Sequence, residues 1–344
     1  MPTPLRLVQI GLGGWGRDWM RTVRGHPDAE IVAHVDASPE ALALAVAQGA
    51  PPERCFPSLA QALDTVPTDA ALITTGAVAH TPVALAALAA GLPVLVEKPF
   101  TPSIAEALEV VSAARAAGLT LMVSQNYRHF PAPRLVAELV RAGTLGELGA
   151  VEVDFRRDNA RSHPPATAHH ALAHPLLMDM AIHHFDLMRD VLDREPVTVD
   201  CHAFNPPWSP FKDPASAIAS IEFTGGLVVS YRGSWASSGP VTPWAGEWRM
   251  DTALGELSWT SRETPPPDRV LWRPLGGVQE ALDLPELPLL DRAGALAAFA
   301  RAVRSGETPP SSGADNLRSL ALTLAAIRSA QERRPVSIEE ELLV

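Results

Sequence analysis

Lysine is almost missing from this chain. Of 28 basic residues only two, Lys98 and Lys212, are lysine. Arginine serves wherever a generic cation suffices, so a lysine marks a place where a compact, readily titrated ammonium is wanted. Cysteine is equally scarce. Cys55 and Cys201 lie far apart, build no disulfide framework and point to a reducing cytoplasm. No basic run occurs and the net charge is −11, which argues against nucleic acid as a partner. No apolar stretch is long enough for a bilayer. The longest candidate, Val83 to Ala90, stops at Gly91 and Pro93. Met1 to Pro4 run straight into an apolar strand and leave no signal peptide, so a cytoplasmic protein without a membrane partner is expected.

A hydrophobic fraction of 47% over 344 residues supports sizeable cores and suggests two domains. Over residues 1–125, apolar strands (Leu5–Ile10, Ile31–Val35, Ala70–Thr74, Val94–Val96, Thr120–Ser124) alternate with helical stretches. Those stretches lie near Arg17–Arg24, Pro39–Gln48, Leu59–Leu63, Pro82–Ala90 and Ile104–Ala116. The alternation predicts an α/β domain with a doubly wound parallel sheet. Gly49, Gly91 and Gly118 each follow an alanine-rich run, as helix C-terminal glycines do.

Residues 126–344 read differently. A helix, Ala132–Ala142, leads to a strand, Ala150–Arg156, then a Pro- and His-rich loop and a helix, Leu177–Leu192. Strands Val197–Phe204, Ala215–Phe223, Leu227–Trp235, Glu247–Asp251 and Glu256–Thr260 follow. Helices Leu290–Arg304 and Asp315–Gln331 close the chain. This predicts an α+β domain with a large, mostly antiparallel open sheet. The 33 prolines cluster in loops such as Pro265–Pro267 and read as rigid connectors.

Between the first strand and the first helix stands Gly11-Leu12-Gly13-Gly14-Trp15-Gly16, a GxGxxG. Gly11 permits a tight turn, Gly13 a close approach of backbone to a pyrophosphate, and Gly16 close helix–strand packing. The second strand ends at Asp36, 20 residues after Gly16, where an acid takes a ribose 2′-hydroxyl. That carboxylate repels a 2′-phosphate, and Ala37, Ser38 and Pro39 supply no arginine to clamp one. NAD is therefore favoured over NADP.

Lys98 ends the run Val94-Leu95-Val96-Glu97-Lys98-Pro99. A strand's carboxyl end is where ligands bind in open α/β sheets. A snorkelling lysine paired with Glu97 is the bland alternative. In the second half, Asp179 and His183 stand four residues apart on a helix, so a carboxylate can orient an imidazole for general-base work. A surface Asp–His pair has the same spacing.

The glycine loop, Glu97-Lys98-Pro99 and the Asp179–His183 pair occur in an order and spacing that resemble the glucose–fructose oxidoreductase / inositol dehydrogenase / MocA family. The resemblance covers nearly the whole chain. It includes His80, 17 residues before Glu97, and the Asn126-Tyr127-Arg128 opening of the second domain. It implies a Rossmann domain followed by an α/β domain whose open sheet makes oligomer contacts. It further implies NAD(P)-dependent oxidation of a secondary alcohol on a sugar or polyol. Lys98 then contacts the reacting oxygen, His183 is the acid/base and Asp179 supports it. Cofactor contacts are expected from Gly11, Gly13, Gly14, Trp15, Gly16, Asp36, Thr75, His80, Glu97 and Lys98, and a substrate contact from Arg128. Two departures stand out. Thr75-Gly76-Ala77 replaces the Thr-Pro-Asn common in the family, and Ala181 replaces the glycine usual between Asp and His.

His163, His169, His170 and His174 crowd one loop before the Asp179 helix. The resemblance implies no metal, and Pro-interrupted loops fix no ligand geometry, so the loop is read as a substrate wall with His163 a contact. Trp244, in an aromatic segment, is a second candidate wall; a buried sheet tryptophan is its alternative. The resulting expectation is an NAD-dependent dehydrogenase of a sugar, cyclitol or polyol, assembled as a homodimer or homotetramer. Its mechanism requires Lys98 and His183, from different domains, to meet beside the nicotinamide. Two alternatives remain: a cofactor-retaining enzyme that cleaves glycosidic bonds by transient oxidation, and a non-enzymatic dinucleotide sensor.

Overall fold

Residues 3–158, 168–263 and 268–343 are described by the computed structural model. The chain forms two compact units, Met1–Asn126 with Pro288–Leu317, and Tyr127–Leu287 with Arg318–Val344.

The first unit contains six strands: β1 (Leu5–Ile10), β2 (Ala29–Val35), β3 (Cys55–Phe56), β4 (Ala70–Ile73), β5 (Val94–Val96) and β6 (Leu121–Val123). They pair in parallel in the order β3-β2-β1-β4-β5-β6. This is the doubly wound Rossmann order, which reverses between β1 and β4 and so opens a crevice at their carboxyl ends. Strands β4 and β5 are buried along their whole length, as strands covered by helices on both faces must be. The helices between them end as the sequence predicts, with Gly49, Gly91 and Gly118 at positive φ.

One segment departs from the sequence expectation, which groups everything after residue 125 into the second domain. Leu296 and Phe299 of the helix Asp291–Ser305 are instead fully buried in one cluster with Leu7, Trp19, Leu95 and Met122 of the first unit. Apolar contact with the parallel sheet, not sequence proximity, decides where the helix belongs.

The second unit is built on nine strands: β7 (Leu148–Arg156), β8 (Pro196–Phe204), β9 (Ser216–Phe223), β10 (Leu227–Ser234), β11 (Glu247–Thr252), β12 (Gly255–Thr260), β13 (Arg269–Pro274), β14 (Glu280–Ala281) and β15 (Val336–Ser337). Their order is β14-β13-β12-β11-β7-β10-β9-β8-β15. Every pairing is antiparallel except β7 with β10. Burial alternates along the strands. Leu227, Val229 and Tyr231 of β10 point inward, while Val228, Ser230 and Arg232 face out. One face of the sheet thus stays open. The predicted continuous helix Leu177–Leu192 is in fact a π-helical segment, Pro175–Ala181, followed by an α-helix, Ile182–Leu192. Among the described residues no helix is long and apolar enough to cross a membrane.

Candidate functional site

In the first unit the glycine loop has the sterics its sequence requires. Gly11 follows β1 with φ +98°, and a Cβ there would lie 2.5 Å from the Thr75 nitrogen. A Cβ on Gly16 would lie 2.0 Å from the Gly11 carbonyl oxygen. Neither collision can relax, because both partners are backbone. At Gly13 and Gly14 an added Cβ meets nothing within 4 Å. These two glycines therefore border open space, where a pyrophosphate can approach the backbone. The helix Gly14–Val23 starts there with no side-chain cap and no acid in its first turn. Its first N–H groups thus remain available to an anion.

Two residues overlooked at the sequence level brace this loop. Gln9 donates to the Gly16 carbonyl at 2.6 Å, and the Thr74 hydroxyl donates to the Gly11 carbonyl at 2.6 Å. Both are buried. A polar residue at the buried end of β1 is the signal that could have found Gln9. Asp36 stands at the end of β2. Its carboxylate accepts from the Leu12 backbone N–H at 2.7 Å and from that of Ser38 at 2.9 Å. The acid is thereby held at the loop, with lone pairs left for ribose hydroxyls. The Thr75 hydroxyl oxygen is buried without a hydrogen-bond partner, another polar group that a bound ligand could satisfy. Open glycines, an uncapped helix, an oriented carboxylate and an orphaned hydroxyl all fit a dinucleotide.

Lys98 lies half-buried just beyond β5, and its peptide bond to Pro99 is cis. Two neighbours expected to touch the cofactor also brace the segment of this lysine. Glu97 accepts from the Trp19 indole N–H at 2.7 Å and from the Lys98 backbone N–H at 3.1 Å, so it ties the helix Gly14–Val23 to the Lys98 segment. The buried His80 ring has Nε2 3.0 Å from the Thr75 carbonyl and Nδ1 2.8 Å from that of Pro99. It ties the β4 loop to the Lys98 segment instead of offering a nitrogen to a ligand. These contacts hold Lys98 in place, since a fixed loop costs a bound state less ordering entropy.

In the second unit the π-helical turn carries Asp179, and His183 opens the α-helix that follows. Single π-turns recur at functional sites because they re-aim side chains on a helix. His183 stacks face to face on Tyr127, with ring centroids 4.1 Å apart and planes 3° apart. The adjacent His184 is different. It is fully buried, and burial pushes its pKa down to about 4. Its Nε2 is 2.9 Å from the Trp244 carbonyl oxygen, which can only accept, and its Nδ1 is 3.1 Å from the Tyr231 hydroxyl. This assigns a neutral ring: Nε2–H donates to Trp244 and Nδ1 accepts from Tyr231. Tyr231 is itself buried and its pKa is raised by desolvation, so it stays a donor. His184 is thus structural, which leaves His183 as the acid/base candidate of the pair.

Arg128 departs from its expected substrate role. It is buried and grips Asp186 with two bonds of 2.6 Å, and Ser319 donates to the same carboxylate at 2.7 Å. A bidentate buried pair of this kind binds the helix Ile182–Leu192 to the segment after residue 126. Trp244 is half-buried, anchored through its carbonyl to His184, with the Arg157 guanidinium 4.3 Å above its ring. It keeps an aromatic face near the His183 helix. His163 lies outside the described residues. Among the described residues, no three His, Cys, Asp or Glu side chains form a group that could hold a metal ion.

Two family models match. One described as "Oxidoreductase family, NAD-binding Rossmann fold" covers residues 5–125, and one described as "GFO/IDH/MocA C-terminal domain" covers residues 134–255. An inositol 2-dehydrogenase of Leifsonia xyli subsp. xyli is 36% identical over 186 residues, covering 53% of this chain and 52% of that protein. A D-apiose dehydrogenase of Paraburkholderia graminis is 27% identical over 347 residues, 96% of this chain and 88% of its own. Among solved structures, an oxidoreductase from Agrobacterium radiobacter, in complex with NAD+, L-tartaric acid and magnesium, superposes with a TM-score of 0.85. It is 24% identical and is matched over 98% of this chain and 99% of its own.

Proposed function

Because this chain belongs to the GFO/IDH/MocA family of oxidoreductases, whose first domain is an NAD-binding Rossmann fold, we propose that it interconverts a secondary alcohol of a sugar, cyclitol or polyol with the ketone, using NAD. The observation that carries the reading is Lys98. One of only two lysines, it stands just beyond the carboxyl end of β5, in a segment to which Glu97 and His80 hydrogen-bond. When bound, NAD supplies the hydride acceptor at nicotinamide C4. The rest is done by the chain. His183 takes the hydroxyl proton as the carbinol C–H leaves with its electron pair. Lys98 donates a hydrogen bond to the oxygen as negative charge builds on it. Asp179 supports the imidazole. The products are the ketone, reduced nicotinamide and one proton. Relatives named for inositol and apiose support cyclic and branched polyhydroxy substrates. NAD is preferred over NADP because the Asp36 carboxylate, oriented by the Leu12 and Ser38 N–H groups, repels a 2′-phosphate.

A panel of sugars and cyclitols, followed at the nicotinamide absorbance, identifies the substrate. On it, His183→Ala lowers turnover by ~10²–10⁴-fold. Lys98→Ala has an effect of similar order, ~10²–10³-fold, while NAD affinity hardly moves. Lys98→Arg does not rescue, since a planar guanidinium cannot replace an ammonium in a tight site. Near wild-type turnover by Lys98→Ala refutes the mechanism.

A further inference from the structure

The first unit brings a cation to its glycine loop from far along the sequence. Arg292 is the second residue of the helix Asp291–Ser305. Its guanidinium carbon lies 5.1 Å from the centroid of the Trp15 ring and 5.9 Å from that of Trp19. Trp15 is part of the glycine loop itself and is 57% exposed, whereas Trp19 is fully buried one turn later. Two indole faces therefore position a planar cation beside the loop. They do not use its in-plane donors.

A guanidinium carries five N–H donors. Among the described residues, those of Arg292 meet no carboxylate and no carbonyl, and Nη1 is shielded from water without a partner. The neighbouring Asp291 accepts instead from the Asn126 side chain. The nearby Arg17, by contrast, spends Nη1 on the Leu12 carbonyl at 2.8 Å. An oriented, partly buried arginine with open donors is costly unless something completes it. Arginine's fork matches phosphate oxygens, and the loop beside it offers the uncapped helix and the bare backbone at Gly13 and Gly14.

We propose that Arg292 is a cofactor-binding residue whose guanidinium, seated on Trp15, donates to the pyrophosphate of the dinucleotide. The C-terminal segment Pro288–Leu317 then completes the Rossmann site as well as its core. This rests on dinucleotide binding by the first unit, and the experiment separates the two claims. Calorimetric titration compares NAD, ADP-ribose and adenosine on the full chain. If wild type binds neither NAD nor ADP-ribose, the binding reading itself fails and the Arg292 proposal falls with it. Where wild type binds them, Arg292→Gln weakens both by about 10- to 100-fold, the range for a lost hydrogen bond to a charged group, and leaves adenosine unchanged. An unchanged NAD affinity, or an equal loss for adenosine, overturns the proposal. Should Arg292→Gln not fold, Arg292→Lys carries the test, because it keeps the charge and the stem but loses the fork. A several-fold loss confined to the two pyrophosphate ligands is expected; affinities unchanged from wild type, or an equal loss for all three ligands, overturn it.

Discussion

Replacing His184 with glutamine should flatten the acid sensitivity of the second unit. In the folded chain the ring is fully buried and its pKa is lowered to about 4 from the ordinary 6.5. The unfolded chain therefore takes up the proton first as pH falls. The stability this ring contributes is fully present above about pH 6.5. It is lost progressively between about 6.5 and 4, and the loss levels off below that. Between pH 7 and pH 5 the linkage relation gives a loss of about 1.8 kcal/mol for one such group. A glutamine in its place cannot titrate, and the side-chain amide can still donate to the Trp244 carbonyl as Nε2 does. The substitution leaves the Tyr231 hydroxyl without its acceptor, so the variant starts out less stable at pH 7 by about 1–3 kcal/mol. Urea unfolding at pH 7 and pH 5, followed by tryptophan fluorescence, measures the difference. Six of the eight tryptophans, all but Trp15 and Trp19, lie in the second unit. Contributions from other titrating groups are common to both proteins and cancel. The wild type should lose about 1.8 kcal/mol more than the variant over this interval. Equal losses would refute the neutral, buried assignment of His184. His34 in the first unit is lowered to about 4 by the same cause, so an acid-induced loss there persists in the variant.

The loop glycines should separate folding from binding. Gly16→Ala forces a Cβ to within 2.0 Å of the Gly11 carbonyl oxygen and lowers the melting temperature of the first unit. Gly13→Ala meets nothing in the protein, so it leaves that temperature within about a degree or two but weakens NAD. Similar melting temperatures for the two variants would contradict this account. Combining Asp36→Ala with Ser38→Arg should shift preference towards NADP, and fluorescence titration of both cofactors checks it. Tighter NADP than NAD binding by the wild type would remove the premise. The open face of the nine-stranded sheet exposes Val197, Phe204, Ile218 and Val228, so a homodimer or tetramer packed through it is expected. Light scattering that returns a 36.7 kDa particle at micromolar concentration would rule that out.

Features governed by local rules were legible in the sequence. The parallel alternation of the first unit follows from strand and helix periodicity within short windows. The glycine loop follows from backbone sterics, which leave Gly11 and Gly16 no alternative. Lys98 stood out because composition made it rare. The short strands β3, β14 and β15 escaped because two residues carry no period.

Other features depended on which distant side chains met. His80 and Arg128 have the residue types of ligand contacts, yet tertiary neighbours hold them: the Thr75 and Pro99 carbonyls, and Asp186. His183 and His184 are adjacent and chemically identical in sequence. Only the contacts with the Tyr231 hydroxyl and the Trp244 carbonyl mark the second as structural. The helix Asp291–Ser305 returns to the first unit because Leu296 and Phe299 find apolar partners there, and that return carries Arg292 to the indoles of Trp15 and Trp19. Sequence by itself determined what short-range sterics and periodicity dictate. Tertiary structure decided every assignment that rests on desolvation or pairing across long separations, since those energies exist only once the distant groups are in contact.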